Sequence, residues 1–312
     1  MSRVFEALSR ASADKKRQGE TAMSDASTDT LSITLPTNGN GSVSESHLNV
    51  NNGNEALLRS ISPNGKVSKS WREKMEELLF GWDLARYNTY PIIALEKDSP
   101  ALEQYKILRE QIKRLRTEAG LRAFTITSPV KRDGKTTVAV NLAAVLALDY
   151  EENVLLIDGD LRGPNVHRYF NVPQSPGLAD YLGANSRLPL KDLVQETFLP
   201  GLRVVSSGKP SHLSSELLAK ERMKQLMEEA LAEFPGHQII IDSPPVLSTP
   251  DPLVIARHVD GVLLVVRAGK TPRDYLTKAL GSLNSTKIMG VVLNGAELGI
   301  ASKYYYYTVA GA

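Results

Sequence analysis

The sequence predicts an α/β fold, a doubly wound parallel sheet with helices on both faces, and three observations point to it. Short, largely apolar runs bounded by turn residues recur at residues 123–127, 154–157, 202–205, 238–241, 262–266 and 287–293. Helical patterns at 136–148, 216–233 and 274–283 are interleaved with them. Strands that are apolar on both faces and joined by helices belong to parallel sheets covered on both sides. Two of the apolar runs also end directly on aspartate, at Asp158 and Asp242. In such a sheet ligands bind beyond the carboxyl ends of the strands, so those carboxylates mark a candidate site.

Composition narrows the function. The 312 residues carry 37 Lys and Arg against 35 Asp and Glu, a formal charge of +2, which argues against bulk electrostatic capture of nucleic acid. There is no cysteine, which excludes a disulfide framework, an iron–sulfur cluster and a Cys-ligated zinc. The longest apolar stretch, 138–148, is interrupted by Asn141 and falls well short of the ~20 residues that span a bilayer. The first residues contain no long apolar segment followed by a small-residue cleavage site, so the expectation is a cytoplasmic protein.

Before the α/β region the chain changes character. Residues 1–17 read as a short helix with Val4, Phe5, Leu8 and Ala11 on one side and a basic end at Lys15, Lys16 and Arg17. Residues 18–69, rich in Ser, Asn, Thr and Gly, bury too little apolar surface to offset an ordering cost of about 1–2 kcal/mol per residue, and read as a flexible linker or a regulatory arm. A capping box, Ser70 to Glu73, opens an amphipathic helix over 70–90 with Trp71, Met75, Leu78, Leu79 and Trp82 on its stripe. That stripe suits either packing on the neighbouring domain or docking of another protein. A further helix begins at Ser99 and Pro100, with Leu102, Tyr105, Leu108, Ile112 and Leu115 on its apolar face. Glu103, Lys106 and Arg109 follow one another at three-residue steps on a second face, the usual spacing of a solvated charged stripe.

The first strand runs into Ser128, Pro129, Val130, Lys131, Arg132, Asp133, Gly134, Lys135, Thr136 and Thr137, which opens a helix. This is a Walker A pattern with Pro129 where the first glycine is usual. Backbone N–H groups of such a loop cradle phosphate oxygens, the lysine reaches the β- and γ-phosphates, and the Thr136 hydroxyl ligates Mg²⁺. A Gly-Lys-Thr triplet alone is also an ordinary solvated helix start. Asp158, Asp160 and Arg162 after the second strand, and Asp242 after the fourth of the apolar runs, converge on the same end of the sheet. Mg²⁺ takes one or two carboxylates, a hydroxyl, phosphate oxygens and water, so Asp160 and Asp242 are assigned to the metal. Asp158 is assigned to orienting or deprotonating an incoming hydroxyl, and Arg162 to supporting phosphate charge or fixing an aspartate. Asn294, at the end of the last apolar run, is placed either to meet a base edge or simply to form a turn with Gly295.

These three elements resemble the Walker A, A′ and B motifs of the bacterial tyrosine kinases, the autokinases associated with capsule and exopolysaccharide export. The resemblance covers residue 91 to the C-terminus, giving a P-loop kinase domain of the MinD/ParA-like class over 91–298 and a tail over 299–312. It implies ATP and Mg²⁺ as cofactors. Four consecutive tyrosines, Tyr304, Tyr305, Tyr306 and Tyr307, suit an edge strand by propensity, but the resemblance makes them the autophosphorylation substrate, modified between subunits. Glu103, Lys106 and Arg109 match the family's self-association motif with lysine in place of one arginine, which implies a ring-like homo-oligomer. The family also implies a separate membrane co-polymerase, or chain-length determinant, as activator, hence a peripheral position at the inner face of the membrane. Two other readings stand beside it: an ATPase switch similar to MinD and ParA, and a non-catalytic, nucleotide-gated regulator of polysaccharide chain length.

Overall fold

The structure is a computed structural model of the chain, and it describes residues 92–96, 99–149, 152–183, 186–219, 221–283 and 287–296. The segments expected at 1–17, 18–69 and 70–90 and the tail tyrosines Tyr304–307 lie outside the described residues.

Seven strands form one sheet: β1 (Ala123–Thr127), β2 (Asn153–Asp158), β3 (Val194–Glu196), β4 (Leu202–Val205), β5 (His237–Asp242), β6 (Gly261–Arg267) and β7 (Ile288–Asn294). Their spatial order is β3-β4-β2-β5-β1-β6-β7. All six strands expected from the apolar runs are present, and they pair in parallel. The sheet is not purely parallel, however, because β3 runs antiparallel to β4 at the edge. Three residues, two of them Gln195 and Glu196, carry no apolar alternation from which to recognise a strand.

The helices are α1 (Pro100–Ala119), α2 (Lys135–Ala147), α3 (Val166–Phe170), α4 (Leu178–Leu182), α5 (Ser214–Leu218), α6 (Glu221–Glu233), α7 (Asp251–Ile255) and α8 (Arg273–Ser282). Ser99 stands at the N-cap of α1 as expected, though its side chain makes no capping bond. The helix expected over 216–233 is two: α5 closes at Ala219, and α6 then turns Met223, Leu226, Met227 and Ala230 into the core. Helices α3, α4 and α7 have five residues each, too few for a 3.6-residue period to declare itself.

Helix α2 is the centre of the molecule. Every residue from Val138 to Ala147 is buried, so it has no solvent face beyond its first turn. Asn141, the one polar residue among them, is satisfied: its Oδ1 accepts from the Ile93 N–H (2.6 Å) and its Nδ2 donates to the Thr137 carbonyl (2.8 Å). These bonds tie the first turns of α2 to residue 93.

Register places the site. In the β2–β5 ladder Asp158 is paired with Asp242, and in the β1–β5 ladder Ile126 is paired with Asp242. The ends of β1, β2 and β5 therefore lie side by side, with adjacent strands ~4.8 Å apart.

Beyond the end of β4, two loops approach closely. A Cβ on Gly177 would lie 2.2 Å from the Gly208 nitrogen, whereas a Cβ on Gly236, at φ +84°, would meet nothing within 4 Å. Gly177→Ala should therefore cost about 3 kcal/mol by overpacking backbone against backbone. Gly236→Ala should cost only about 1 kcal/mol, the penalty of a left-handed alanine. Urea midpoints at constant slope check the ranking, and equal losses would contradict it.

Candidate active site

The loop from Ser128 to Thr137 joins β1 to α2, and its shape is set by two left-handed residues, Arg132 (φ 69°) and Gly134 (φ 93°). Its interior brace is the Asp133 carboxylate, which accepts the Val130 N–H (3.2 Å) and the Thr271 hydroxyl (2.7 Å). Burial raises the Asp133 carboxyl against these stabilising bonds. Two more bonds grip the loop from outside. Arg267 Nη1 donates to the Arg132 carbonyl (3.1 Å), and Asn294 Nδ2 donates to the Asp133 carbonyl (2.9 Å). Asn294 thus reaches the loop from the end of β7, and a Cβ on Gly134 would collide with its amide nitrogen at 2.0 Å. Glycine is favoured there by φ, and a side chain would also displace the Asn294 amide from the loop.

At the first turn of α2, Lys135 Nζ lies 2.9 Å from Asp160 Oδ2 and 3.9 Å from Asp242 Oδ2. The Thr136 hydroxyl donates to Asp242 Oδ2 at 2.6 Å, and the Thr137 and Tyr169 hydroxyls share a hydrogen bond at 3.1 Å. Lys135, Thr136, Asp160 and Asp242, which the sequence placed in one site, are therefore in mutual contact. Burial alone would depress the Lys135 ammonium, but the Asp242 and Asp160 carboxylates outweigh it and hold the lysine above its usual value. Burial also pushes Asp242 up, and Lys135 only partly offsets this. Asp158 is raised further, by complete burial and by the facing Asp242.

A Mg²⁺–nucleotide fits this donor set. Asp242 Oδ1 is buried and has no hydrogen-bond partner, an oxygen left over by a carboxylate whose other oxygen is engaged. Among the described residues no three carboxylates or imidazoles converge on one point. A hard cation held by Asp242, Asp160 and Thr136 would need phosphate oxygens and water to complete its sphere.

One expectation needs correction. Asp158 is fully buried and spends both oxygens on the following loop: Oδ1 accepts the Asp160 N–H (3.2 Å), and Oδ2 accepts those of Asn165 (3.1 Å) and Val166 (3.0 Å). Neither expected role, orienting or deprotonating an incoming hydroxyl, fits, because the carboxylate has no open approach; it fixes the following loop instead. Arg162 does fix an aspartate, but one the sequence did not single out. Its Nε lies 3.4 Å from Asp251 Oδ2 and its Nη2 donates to Ser215 Oγ at 3.3 Å.

Glu103, Lys106 and Arg109 lie on α1, outside the phosphate site. Lys106 pairs with Glu103 at 2.6 Å, while Arg109 bonds Glu110 at 2.9 Å and comes within 3.7 Å of Asp149. Such partly exposed pairs add little stability. Lys131 and Arg132 point their charges to solvent at the rim of the loop. The clamping residues Thr271 and Arg267, and the Asp251 group, carried no signal in the sequence.

No family model matches the chain. Among curated relatives, it is 35% identical over 219 residues to the tyrosine-protein kinase YwqD of Bacillus subtilis, covering 69% of this chain and 90% of that one. It is 31% identical over 207 residues to the putative tyrosine-protein kinase CapB of Staphylococcus aureus, covering 66% and 89%. With the tyrosine-protein kinase ptk of Acinetobacter johnsonii the identity is 33% over 217 residues, but the match spans only 29% of that longer protein. Among solved structures, the kinase domain of Escherichia coli tyrosine kinase ETK superposes with TM-score 0.62 at 31% identity, over 68% of this chain and 82% of that one. The BceF tyrosine kinase domain gives 0.60 at 31%, over 72% and 90%.

Two outcomes follow from the geometry. A carboxyl raised by the fold stays protonated in the folded chain at a pH where the unfolded chain has already ionised it, so stability falls as pH rises above about 4. The nucleotide-free protein should lose stability between about pH 5 and pH 8, by up to ~1.4 kcal/mol per pH unit for each proton involved, and Asp158→Asn should flatten that slope. An unchanged slope in the variant, by calorimetry, would remove the assignment. Asn294→Ala should weaken ATP and GTP alike by about fivefold to tenfold through loss of the loop bond, whereas a fall in ATP affinity alone would restore the base-edge role.

Proposed function

The chain belongs to the bacterial tyrosine-protein kinase family, and from this premise we propose that it transfers the γ-phosphoryl group of ATP to tyrosine, with Tyr304, Tyr305, Tyr306 and Tyr307 of a second copy as acceptors. The observation that carries this reading is the convergence of Lys135, Thr136, Asp160 and Asp242, with an unpaired Asp242 oxygen, at a phosphate loop that opens a buried helix.

In the reaction the β–γ P–O bond breaks, the phenolic oxygen bonds to phosphorus, and ADP, phosphotyrosine and a proton result. Mg²⁺, which Thr136, Asp160 and Asp242 would hold, would supply neutralisation of the negative charge that develops on the phosphates. The protein's part is positioning. The backbone N–H groups of residues 131–137, with the N-terminus of α2 behind them, hold the phosphates. Lys135 contributes a fixed positive charge beside two buried carboxylates, and Thr136, Asp160 and Asp242 would hold the metal. Asp158 keeps the 159–166 loop in place through three backbone bonds.

The wider assignments extend this reading. Glu103, Lys106 and Arg109 on α1 are proposed as a contact between copies in a ring. A membrane co-polymerase is proposed as activator, because no helix among the described residues is long and apolar enough to cross a membrane and the family acts in exopolysaccharide or capsule production. Each phosphate added to the tail brings ~1.5–2 negative charges, so phosphorylation would loosen the assembly.

Incubating the chain with Mg-ATP, with and without the cytoplasmic segment of such a partner, tests the core claim. Phosphotyrosine should form in the parent, vanish when the four tyrosines become Phe, and fall at least ~100-fold in Lys135→Met. Label that survives Lys135→Met would reject the site.

A further inference from the structure

Five aspartates are buried in the described residues, and the phosphate site uses four of them: Asp133, Asp158, Asp160 and Asp242. The fifth, Asp251, is completely buried at the first position of α7, nine residues beyond Asp242. A buried carboxylate is costly unless each lone pair is answered, and here the answering groups are specific. Oδ2 accepts the Ser214 hydroxyl at 2.8 Å and faces Arg162 Nε at 3.4 Å, and Oδ1 accepts the Ser215 hydroxyl. Ser215 Oγ in turn accepts from Arg162 Nη2 at 3.3 Å.

The circuit therefore spans the loop after β2, the start of α5 and the start of α7, and it closes on a single guanidinium. The loop before α5 is also tied to the loop after β2 directly, since the Ser211 N–H donates to the Leu161 carbonyl at 2.9 Å. Arg162 sits two residues beyond Asp160 in the chain, and its side chain is 39% exposed while Asp251 is fully enclosed. One side of the guanidinium is fastened to the buried Asp251 carboxylate and to the partly exposed Ser215 hydroxyl. The Nη1 side makes no bond within the described residues, and Arg162 follows β2 at the carboxyl end of the sheet, the end at which such folds bind ligands.

An arginine held in this way is preorganised. Its planar fork loses little freedom when an anion arrives, and an Arg left free would have to be ordered first. We propose that Asp251, with Ser214 and Ser215, is a positioning residue that holds Arg162 so that the free edge of its guanidinium meets the phosphoryl group in transit, on the side from which the acceptor approaches. This rests on the phosphoryl-transfer reading above. The anion recognised is a planar, trigonal phosphoryl group or its close mimic, rather than the phosphates of a bound nucleotide, which belong to the loop and Lys135.

The test separates the two. Affinity of the full chain is measured for Mg-ADP alone and for Mg-ADP with aluminium fluoride, which imitates the group in transit and needs no tyrosine acceptor. Arg162→Ala and Asp251→Asn should each keep ADP affinity within about threefold and weaken the fluoride complex ~10- to 100-fold. The double variant should be no worse than Arg162→Ala, because both changes remove one effect. Millimolar guanidinium should restore the fluoride complex to Arg162→Ala but not to the double variant. If Asp251→Asn does not fold, Ser215→Ala, which loosens the circuit while leaving the carboxylate, should weaken the fluoride complex severalfold, and no change would overturn the proposal. Equal losses of ADP and fluoride-complex affinity, additive losses in the double variant, or guanidinium rescue that ignores residue 251 would each assign Asp251 to stability alone. A fluoride complex that responds as expected in a chain that forms no phosphotyrosine would sustain the Asp251 role and reject the tyrosine acceptor.

Discussion

The arrangement depends on one constraint: the β2–β5 register sets Asp158 beside Asp242 at the end of two strands that are otherwise buried and apolar. On strand ends about 5 Å apart, two carboxyl groups would repel by roughly 3 kcal/mol at an effective dielectric of 20 if both were ionised, and neither can turn to bulk water. Each has been given a different solution. Asp158 is covered by three backbone N–H groups of its own loop, which makes it part of the scaffold. Asp242 is met by the Thr136 hydroxyl and, at longer range, by Lys135, and keeps one oxygen unanswered. The site is thus built around a deficit of positive charge, which a divalent cation with its nucleotide is suited to fill.

The phosphate loop is positioned by groups that are distant in sequence. Asp133 braces it from inside, while Arg267, Thr271 and Asn294 grip it from the end of the sheet at β6 and β7. Helix α2, gripped in turn by the sheet and by the Asn141 bonds, cannot shift without disturbing the core. Lys135 and Thr136 therefore present their polar groups from a fixed platform. Fixed dipoles and charges in a cleft of low dielectric are what phosphoryl transfer asks of a protein.

How much of this could be read from the chain alone follows from distance and length. Lys135, Thr136, Asp158, Asp160 and Asp242 stand at strand ends or helix starts, where local pattern and a fold rule suffice to bring them together. The partner of Asp133 in β7 is 161 residues away, and Arg162 and Asp251 are separated by 89; neither pair leaves a local trace. That Asp158 would serve neither role offered for it was not legible in the sequence, because its enclosure turns on where the 160–166 backbone folds. Likewise the single helix expected over 216–233 is broken at Ala219 although Leu217, Leu218 and the apolar positions of α6 look continuous.

The short strand β3 bears on solubility. A parallel sheet presents open edges that can recruit strands from other chains, and proteins blunt such edges with short strands and charge. At this edge the chain reverses direction and lays down three residues, with Glu196 paired to Arg203 on the neighbouring strand at 2.7 Å. A foreign strand arriving there would find a ladder too brief to hold it and a charge pair to displace. In a protein proposed to gather its own copies, a three-residue, charged β3 makes this edge of the sheet a poor template for a foreign strand.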